Sequence, residues 1–307
     1  MALAQGPGWV SASMVLIGIG CSPVLMASYY ILARDYPVAV FATFAGVILG
    51  TGTLGNIGAA LPLAWAVESF GWRGTMWVLA AVTLLVALLL GATVRNPAPH
   101  EGEQRGSVLD ILKIPALWPI FVIMFVNYAP AAGIRGLWIA PYLEDVHAAD
   151  TLRIGTASLI MGGAMIAGNF LYGPLDRVFG TRKWVILIGN LLSGLACLSL
   201  WVWPMGSETV AILQMAAVGL FGATFPVIIA HGRSFFPPHL MGRGVTLLNL
   251  FGIGGVGIMQ FASGPVFLQL SETAAAPAQA YGQLFALFGF LILAGCAVYL
   301  FSRDRTG

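Results

Sequence analysis

Long apolar runs broken by short polar joints dominate this chain. Nine of them reach the roughly 20 residues that a helix needs to cross a bilayer: 9–33, 38–67, 74–94, 117–143, 154–175, 184–203, 209–230, 244–270 and 280–301. The runs are continuously apolar rather than alternating, which predicts helices and not barrel strands. Eight of the nine contain no Lys, Arg, Asp or Glu, and the fourth contains one, Arg135.

Composition agrees with that pattern. Over 307 residues, 59% are hydrophobic and 8% charged, whereas a soluble chain carries roughly 25% charged residues. Fourteen Lys/Arg and twelve Asp/Glu cannot cover a water-facing surface, so most of the outside faces lipid. The chain reads as an all-α integral membrane protein. A disordered protein, a collagen and a nucleic-acid binder are excluded, and a net charge of +2 implies no acidic partner. Cys21, Cys197 and Cys296 all lie inside apolar runs and read as small core residues.

The basic residues give an orientation. With the carboxyl terminus in the cytoplasm, eleven fall inside: Arg34, Arg95, Arg105, Lys113, Arg177, Arg182, Lys183, Arg233, Arg243, Arg303 and Arg305. Two, Arg73 and Arg153, fall outside. The amino terminus is then external, yet no basic residue precedes the first run, so it is not a secretory signal. An odd number of spans with an uncharged outer amino terminus points to upstream sequence that is absent here.

The longest polar joint, 95–116, separates three spans from six. A weak internal repeat relates the two sides. GIGCSPVLMASYYILARDYP closes the first run and GLFGATFPVIIAHGRSFFPP the seventh. The third and ninth open on Gly71-Trp72-Arg73 and Tyr281-Gly282-Gln283. The first three spans thus match the last three of the six.

Between the fifth and sixth runs stands GPLDRVFGTRK, residues 173–183. It reads as a tight turn in which Gly173 and Pro174 end one helix and Asp176 accepts hydrogen bonds at a helix amino terminus. Gly180 supplies the bend, and Arg177, Arg182 and Lys183 lie at headgroups. As single residues these cations are ordinary inside anchors. As a string they resemble the G-x-L-D-R-x-G-R-K loop of the major facilitator superfamily, placed after the second helix of each half. The resemblance covers the whole chain, with 95–116 in the place of the inter-half linker. It implies the family fold, with the nine spans as helices four to twelve. Residues 1–94 would be a remnant of the first half and 117–307 the second half. It also implies a rocker-switch transporter with a cavity between halves. By the same resemblance, Asp176 and Arg177, and more weakly Arg182 and Lys183, clamp the helices on the cytoplasmic side.

Arg135 is the main candidate for substrate contact. An ionised group at membrane depth costs at least about 2.5–3.5 kcal/mol, so it faces a cavity by default, and a guanidinium keeps its charge there. Helical spacing aligns Tyr128, Ala132, Arg135, Ile139 and Tyr142 in one stripe, flanked by Asn127 and Trp138. Pro130 and Gly133 interrupt the helix one turn earlier. Snorkelling of Arg135 to the outer interface is the alternative. No carboxylate lies within any run, which favours an anionic or electron-rich substrate.

Weaker candidates follow. Asn56 lies in GTLGNIGAALP, residues 52–62, whose G-N-x-G core resembles the glycine-rich signature of nitrate/nitrite porters. The matching arginines are missing, and close packing also explains the glycines. In the seventh run Gln214, Ala217, Phe221, Thr224, Ile228 and His231 form a thinner stripe. His231 could carry a coupling proton, although an interfacial side chain is the preferred reading. Ser22, Tyr29, Tyr30, Asn249 and Gln260 are further lining candidates. No nucleophile–base pair, phosphate loop or metal-ligating cluster is evident, so neither an enzyme nor a bound cofactor is expected.

The expectation is a monomeric secondary transporter of the bacterial inner (plasma) membrane. It moves a small anionic organic solute by alternating access, with a coupling proton as a second cargo. A proton-coupled drug or metabolite efflux antiporter and an inactive, truncated or sensor-like relative are the alternatives. Leu61-Pro62 in place of a Gly-Pro pattern counts against the efflux reading.

Overall fold

The computed structural model describes residues 1–25, 27, 28, 31, 38–94 and 107–305. For 38–51, 53, 54, 56–62, 64, 177 and 238 it describes the backbone alone. The chain divides into two compact units, Met1–Glu103 and Gln104–Gly307.

In the first unit, α1 (Pro7–Cys21) starts on a proline, whose missing amide is harmless in a first turn. It stops before Pro23, and helical residues resume at Val24. Next comes α2 (Val38–Thr93), which leaves helical geometry at Gly71 with φ 70° and ψ 160°. That is a conformation in which a side chain is strained, and it falls where the sequence separates two runs. Arg73 reaches from the break to the amino-terminal residues, donating from Nη2 to the Ala4 carbonyl at 2.8 Å. Arg73 and the amino terminus therefore share one end of this unit.

The second unit is a helical bundle. A short helix, α3 (Val108–Leu112), is closed by a capping box in which Ser107 and Asp110 satisfy each other's backbone amides. The carboxyl end of the joint predicted over 95–116 is thus helical, while 95–106 lie outside the described residues. The first span of the bundle is segmented into α4 (Trp118–Asn127), α5 (Ala129–Gly133), a π-turn (Ile134–Trp138) and α6 (Ile139–His147). Then come α7 (Thr151–Phe179) and α8 (Lys183–Val202). A broken span follows, made of α9 (Glu208–Phe221) and α10 (Phe225–Arg233), and then α11 (Met241–Thr273) and α12 (Pro277–Tyr299). Asp150 caps α7 by accepting the Arg153 amide at 2.9 Å, and Ser207 caps α9. Among the described residues, seven helices are long and apolar enough to cross a membrane, and no strand occurs.

One expected helix end moves. Helix α7 runs through Gly173 and Pro174 to Phe179 and ends where Gly180 turns left-handed at φ 63°. A proline removes one amide and does not stop a helix whose neighbours hold it. Gly180, free of a Cβ, makes the C-cap instead.

Two apolar clusters fill the bundle. One gathers Ile120, Met124, Val185, Ile186, Val227, Leu248 and Ile292. The other gathers Ala131, Ile134, Met161, Cys197, Met215, Tyr281 and Phe285. Along each contributing span the clusters occupy successive stretches, and a few buried polar residues stand between them. Helices α4 and α11 touch backbone to backbone, since a Cβ on Gly255 would fall on the Phe125 carbonyl oxygen.

Candidate functional site

The site grows from the irregular part of the first bundle span. Pro130 has no amide to donate, and the helix widens to a π-turn over Ile134–Trp138. Gln260 of α11 reaches into this irregular stretch, with Nε2 donating to the Ala132 carbonyl at 3.2 Å. Widened turns of this kind re-aim side chains and recur at functional sites. Here the turn carries Arg135.

A cavity of about 350 Å³ is lined by Tyr128, Ala132, Arg135, Gly136, Ser158 and Met165. All six belong to the second unit. The Arg135 guanidinium lies against α7 at Gly162. A Cβ on that glycine would stand 3.1 Å from Nε, 3.2 Å from Nη2 and 3.3 Å from Cζ.

Of the predicted stripe, Tyr128, Ala132 and Arg135 line this cavity and Ile139 and Tyr142 do not. Ile139 and Tyr142 are 3% and 1% exposed and pack in the second apolar cluster. The π-turn is the cause. It adds a residue to one turn, so a 3.6-residue period extended past Arg135 points to the wrong face. Gly136 lines the cavity in their stead. Trp138 is buried as well, donating from Nε1 to Ser263 Oγ at 3.0 Å and packing on Phe267 at 4.8 Å between centroids. Tyr142 donates from its hydroxyl to the Pro204 carbonyl at 3.3 Å.

Asn127 and Thr224 meet inside the bundle and not at the cavity wall. Both are 0% exposed, as is Asn190. Asn127 Nδ2 donates toward Asn190 Oδ1 at 2.8 Å, Thr224 Oγ1 at 2.9 Å and the Gly222 carbonyl at 3.1 Å. Asn190 Nδ2 lies 2.9 Å from the same hydroxyl. This polar layer ties α4, α8 and the break between α9 and α10. Because that break runs from Gly222 to Thr224, the stripe from Gln214 to His231 is likewise not one continuous face. Gln214 is half-buried on α9, with Oε1 enclosed.

At the opposite end of the unit from the Asp150 and Ser207 caps, the 173–183 segment forms a charged cluster. Asp176 Oδ2 accepts Arg182 Nε at 3.1 Å, with side chains 14% and 19% exposed. Asp176 sits inside α7, so it caps no helix. The cap of α8 comes from the carboxyl-terminal tail. Asp304 Oδ1 accepts the Lys183 and Arg182 amides at 3.1 and 3.2 Å, and Oδ2 accepts the Thr181 hydroxyl. Burial alone would raise the Asp304 carboxyl, but these donors outweigh it and hold it below its ordinary value. Lys183 Nζ donates to the Leu300 carbonyl at 2.6 Å, and Arg305 Nη1 to the Ser234 carbonyl at 3.0 Å.

His231, expected as an interfacial side chain, is 0% exposed. Its Nε2 lies 3.0 Å from the Arg303 carbonyl and its Nδ1 2.7 Å from the Tyr299 hydroxyl. Nε2 must donate to the carbonyl, which leaves Nδ1 to accept from the tyrosine.

Neither spacing nor hydropathy marks Ser158, Gly162, Asn190, Tyr299 and Asp304 in the sequence. The side chains of Asn56 and Arg177, and Tyr29 and Tyr30 entirely, lie outside the described residues. Among the described residues no group of His, Cys, Asp and Glu is arranged to hold a metal ion.

No protein-family profile matches the chain. Among curated proteins it is similar to the sialic acid transporter NanX of Escherichia coli (strain K12), 23% identical over 258 residues, which are 78% of this chain and 60% of NanX. It is also similar to the MFS-type transporter YceJ of Bacillus subtilis (strain 168), 25% identical over 252 residues, or 77% of this chain and 58% of YceJ. The chain therefore spans about 60% of the length of these relatives. Among solved structures it resembles a bacterial homologue of the human lysosomal transporter Spinster in its inward-facing, unoccupied conformation. The TM-score is 0.65 at 17% identity, over 98% of this chain and 78% of that one. The occupied inward-facing form gives a TM-score of 0.62 at 18% identity.

Proposed function

We propose that this multi-pass membrane chain, whose fold is that of a major facilitator transporter, belongs to that superfamily and serves secondary active transport of a small anionic organic solute by alternating access. The observation that carries this reading is Arg135, a fixed cation in the wall of a cavity within an apolar span. A carboxylate suits that cation, because a guanidinium offers two parallel N–H donors to its two oxygens. Tyr128, on the same wall, adds an aromatic edge and a hydroxyl. The relative named as a sialic acid transporter supports an acid as cargo, since such a molecule carries a carboxylate at neutral pH.

In this reading the Asp176–Arg182 pair biases the balance between inward and outward states. The carboxyl terminus is cytoplasmic, in the inner (plasma) membrane, by the asymmetry of the basic residues. His231 is a poor proton carrier in this arrangement, because both ring nitrogens are engaged by Tyr299 and the Arg303 carbonyl. A coupling proton, if used, needs another group.

The test is uptake into proteoliposomes containing the protein, comparing labelled sialic acid with its uncharged methyl ester over a panel of organic anions. Accumulation of one or more anions, lost on esterification, is the expected result. Equal uptake of acid and ester across the panel would remove the anionic reading.

A further inference from the structure

We propose that α7 supplies the second wall of the anion site, with Gly162 as the seat of the Arg135 guanidinium and Ser158 as a second donor to the bound carboxylate. The proposal rests on the anionic reading of Arg135 and names the residues that give that site its shape.

Three observations converge on it. Ser158 and Met165 line the same cavity as Tyr128, Ala132 and Arg135, so two helices face each other across it. Ser158, Gly162 and Met165 are spaced i, i+4 and i+7, which places them on one face of α7. Three guanidinium atoms would then stand 3.1–3.3 Å from a Cβ at position 162. That is tighter than ordinary van der Waals contact, so the plane of Arg135 depends on the glycine. Seated against α7, the guanidinium is held in one place, and bidentate recognition of a carboxylate needs its planar fork so held.

Ser158 stands one turn before Gly162. Its neighbour Thr156 turns its hydroxyl back onto the Leu152 carbonyl at 2.8 Å, whereas Ser158 faces the cavity. A serine hydroxyl there can donate to a carboxylate oxygen whose other lone pairs are taken by Arg135. The pair selects a planar anion with two oxygens. An uncharged isostere would leave the guanidinium without its match, and such a loss is heavily penalised in a polar site.

The experiment is arginine-specific labelling with phenylglyoxal, read at Arg135 by peptide mass spectrometry on the purified protein. Exposed Arg153, 62% accessible and paired with Glu208, is the internal reference. Gly162→Ala and Gly162→Val displace the guanidinium progressively. The expected result is an Arg135 labelling rate changed about threefold by alanine and more than tenfold by valine, with Arg153 unchanged. Rates equal to wild type in both variants overturn the seat.

For Ser158, the readout is protection of Arg135 from phenylglyoxal by sialic acid. Ser158→Ala should leave the rate without anion unchanged and raise the concentration needed for half-protection about tenfold. Ser158→Thr, which keeps the hydroxyl, should return it to within threefold of wild type. Equal protection in Ser158→Ala and wild type overturns the donor role. If neither sialic acid nor any other anion of the panel protects wild-type Arg135, the anionic reading and the Ser158 role fall together. The Gly162 variants still report on the seat, because they need no anion.

Discussion

Asp304 Oδ1 accepts the backbone amide of Lys183 at 3.1 Å, so a residue near the carboxyl terminus closes the amino end of a helix 121 positions earlier in the chain. An anionic cap at that end is favoured twice, by hydrogen bonds to otherwise unpaired amides and by the helix dipole. Asp304→Ala should destabilise the bundle by about 1 kcal/mol, the usual scale of a lost N-cap. The pH dependence has a definite sign. The folded carboxyl is held low, so its contribution is complete above the unfolded value near about 3.9 and is lost as pH falls through the folded value. Thermal unfolding of wild type and Asp304→Ala should therefore differ by a constant amount from neutral pH down to about 5. The two should converge below about 4.

In the proposed transport cycle the Asp176–Arg182 pair, at 3.1 Å and largely sheltered, is the charge contact that acts in gating. Asp176→Asn keeps the shape and removes the charge. Transport should fall several-fold while the amount of protein in the membrane stays level, measured by uptake against immunoblotted abundance. Unaltered uptake in this variant would reduce the segment to a headgroup anchor.

Gly254 and Gly255 are neighbours with opposite surroundings. A Cβ at 254 meets nothing within 4 Å, while one at 255 falls on the Phe125 carbonyl. Gly255→Ala should cost about 1–3 kcal/mol by forcing α11 away from α4. Gly254→Ala should be neutral or slightly stabilising. Melting temperatures of the two variants, compared with wild type, separate close approach from mere small-residue composition.

The Asn127–Asn190–Thr224 layer predicts a stability effect. Asn127→Ala removes the donor to three acceptors and should cost about 1–2 kcal/mol. Denaturation in mild detergent measures it.

These contacts differ in how far they can be read from the chain. The spans, their helical nature and the loop at 173–183 are carried by composition, run length and a contiguous motif, all of which are local. Arg135 stood out because it is the one charge inside a run, and the structure gives it a cavity. Tyr142 and Ile139 lie off the cavity wall because a π-turn, which leaves no trace in hydropathy, shifts every later residue around the helix. Thr224 stands in a three-residue break that interrupts the face its spacing predicts. Asp304, Tyr299 and Gly162 act through partners far along the chain or through an absent side chain, and neither periodicity nor spacing reports on those.

Substrate-dependent thermal stabilisation of wild type, Arg135→Lys and Arg135→Gln tests the central claim, that Arg135 is the anion contact, most directly. Sialic acid is the first probe, followed by the other organic anions. For an anion that stabilises wild type, Arg135→Lys should respond more weakly, since it keeps the charge and loses the fork. Arg135→Gln should show no shift at any concentration, while its melting temperature without anion is equal to or above that of wild type, because the desolvation cost is gone. An Arg135→Gln variant stabilised at the same anion concentrations as wild type would make Arg135 an interfacial cation and contradict the account.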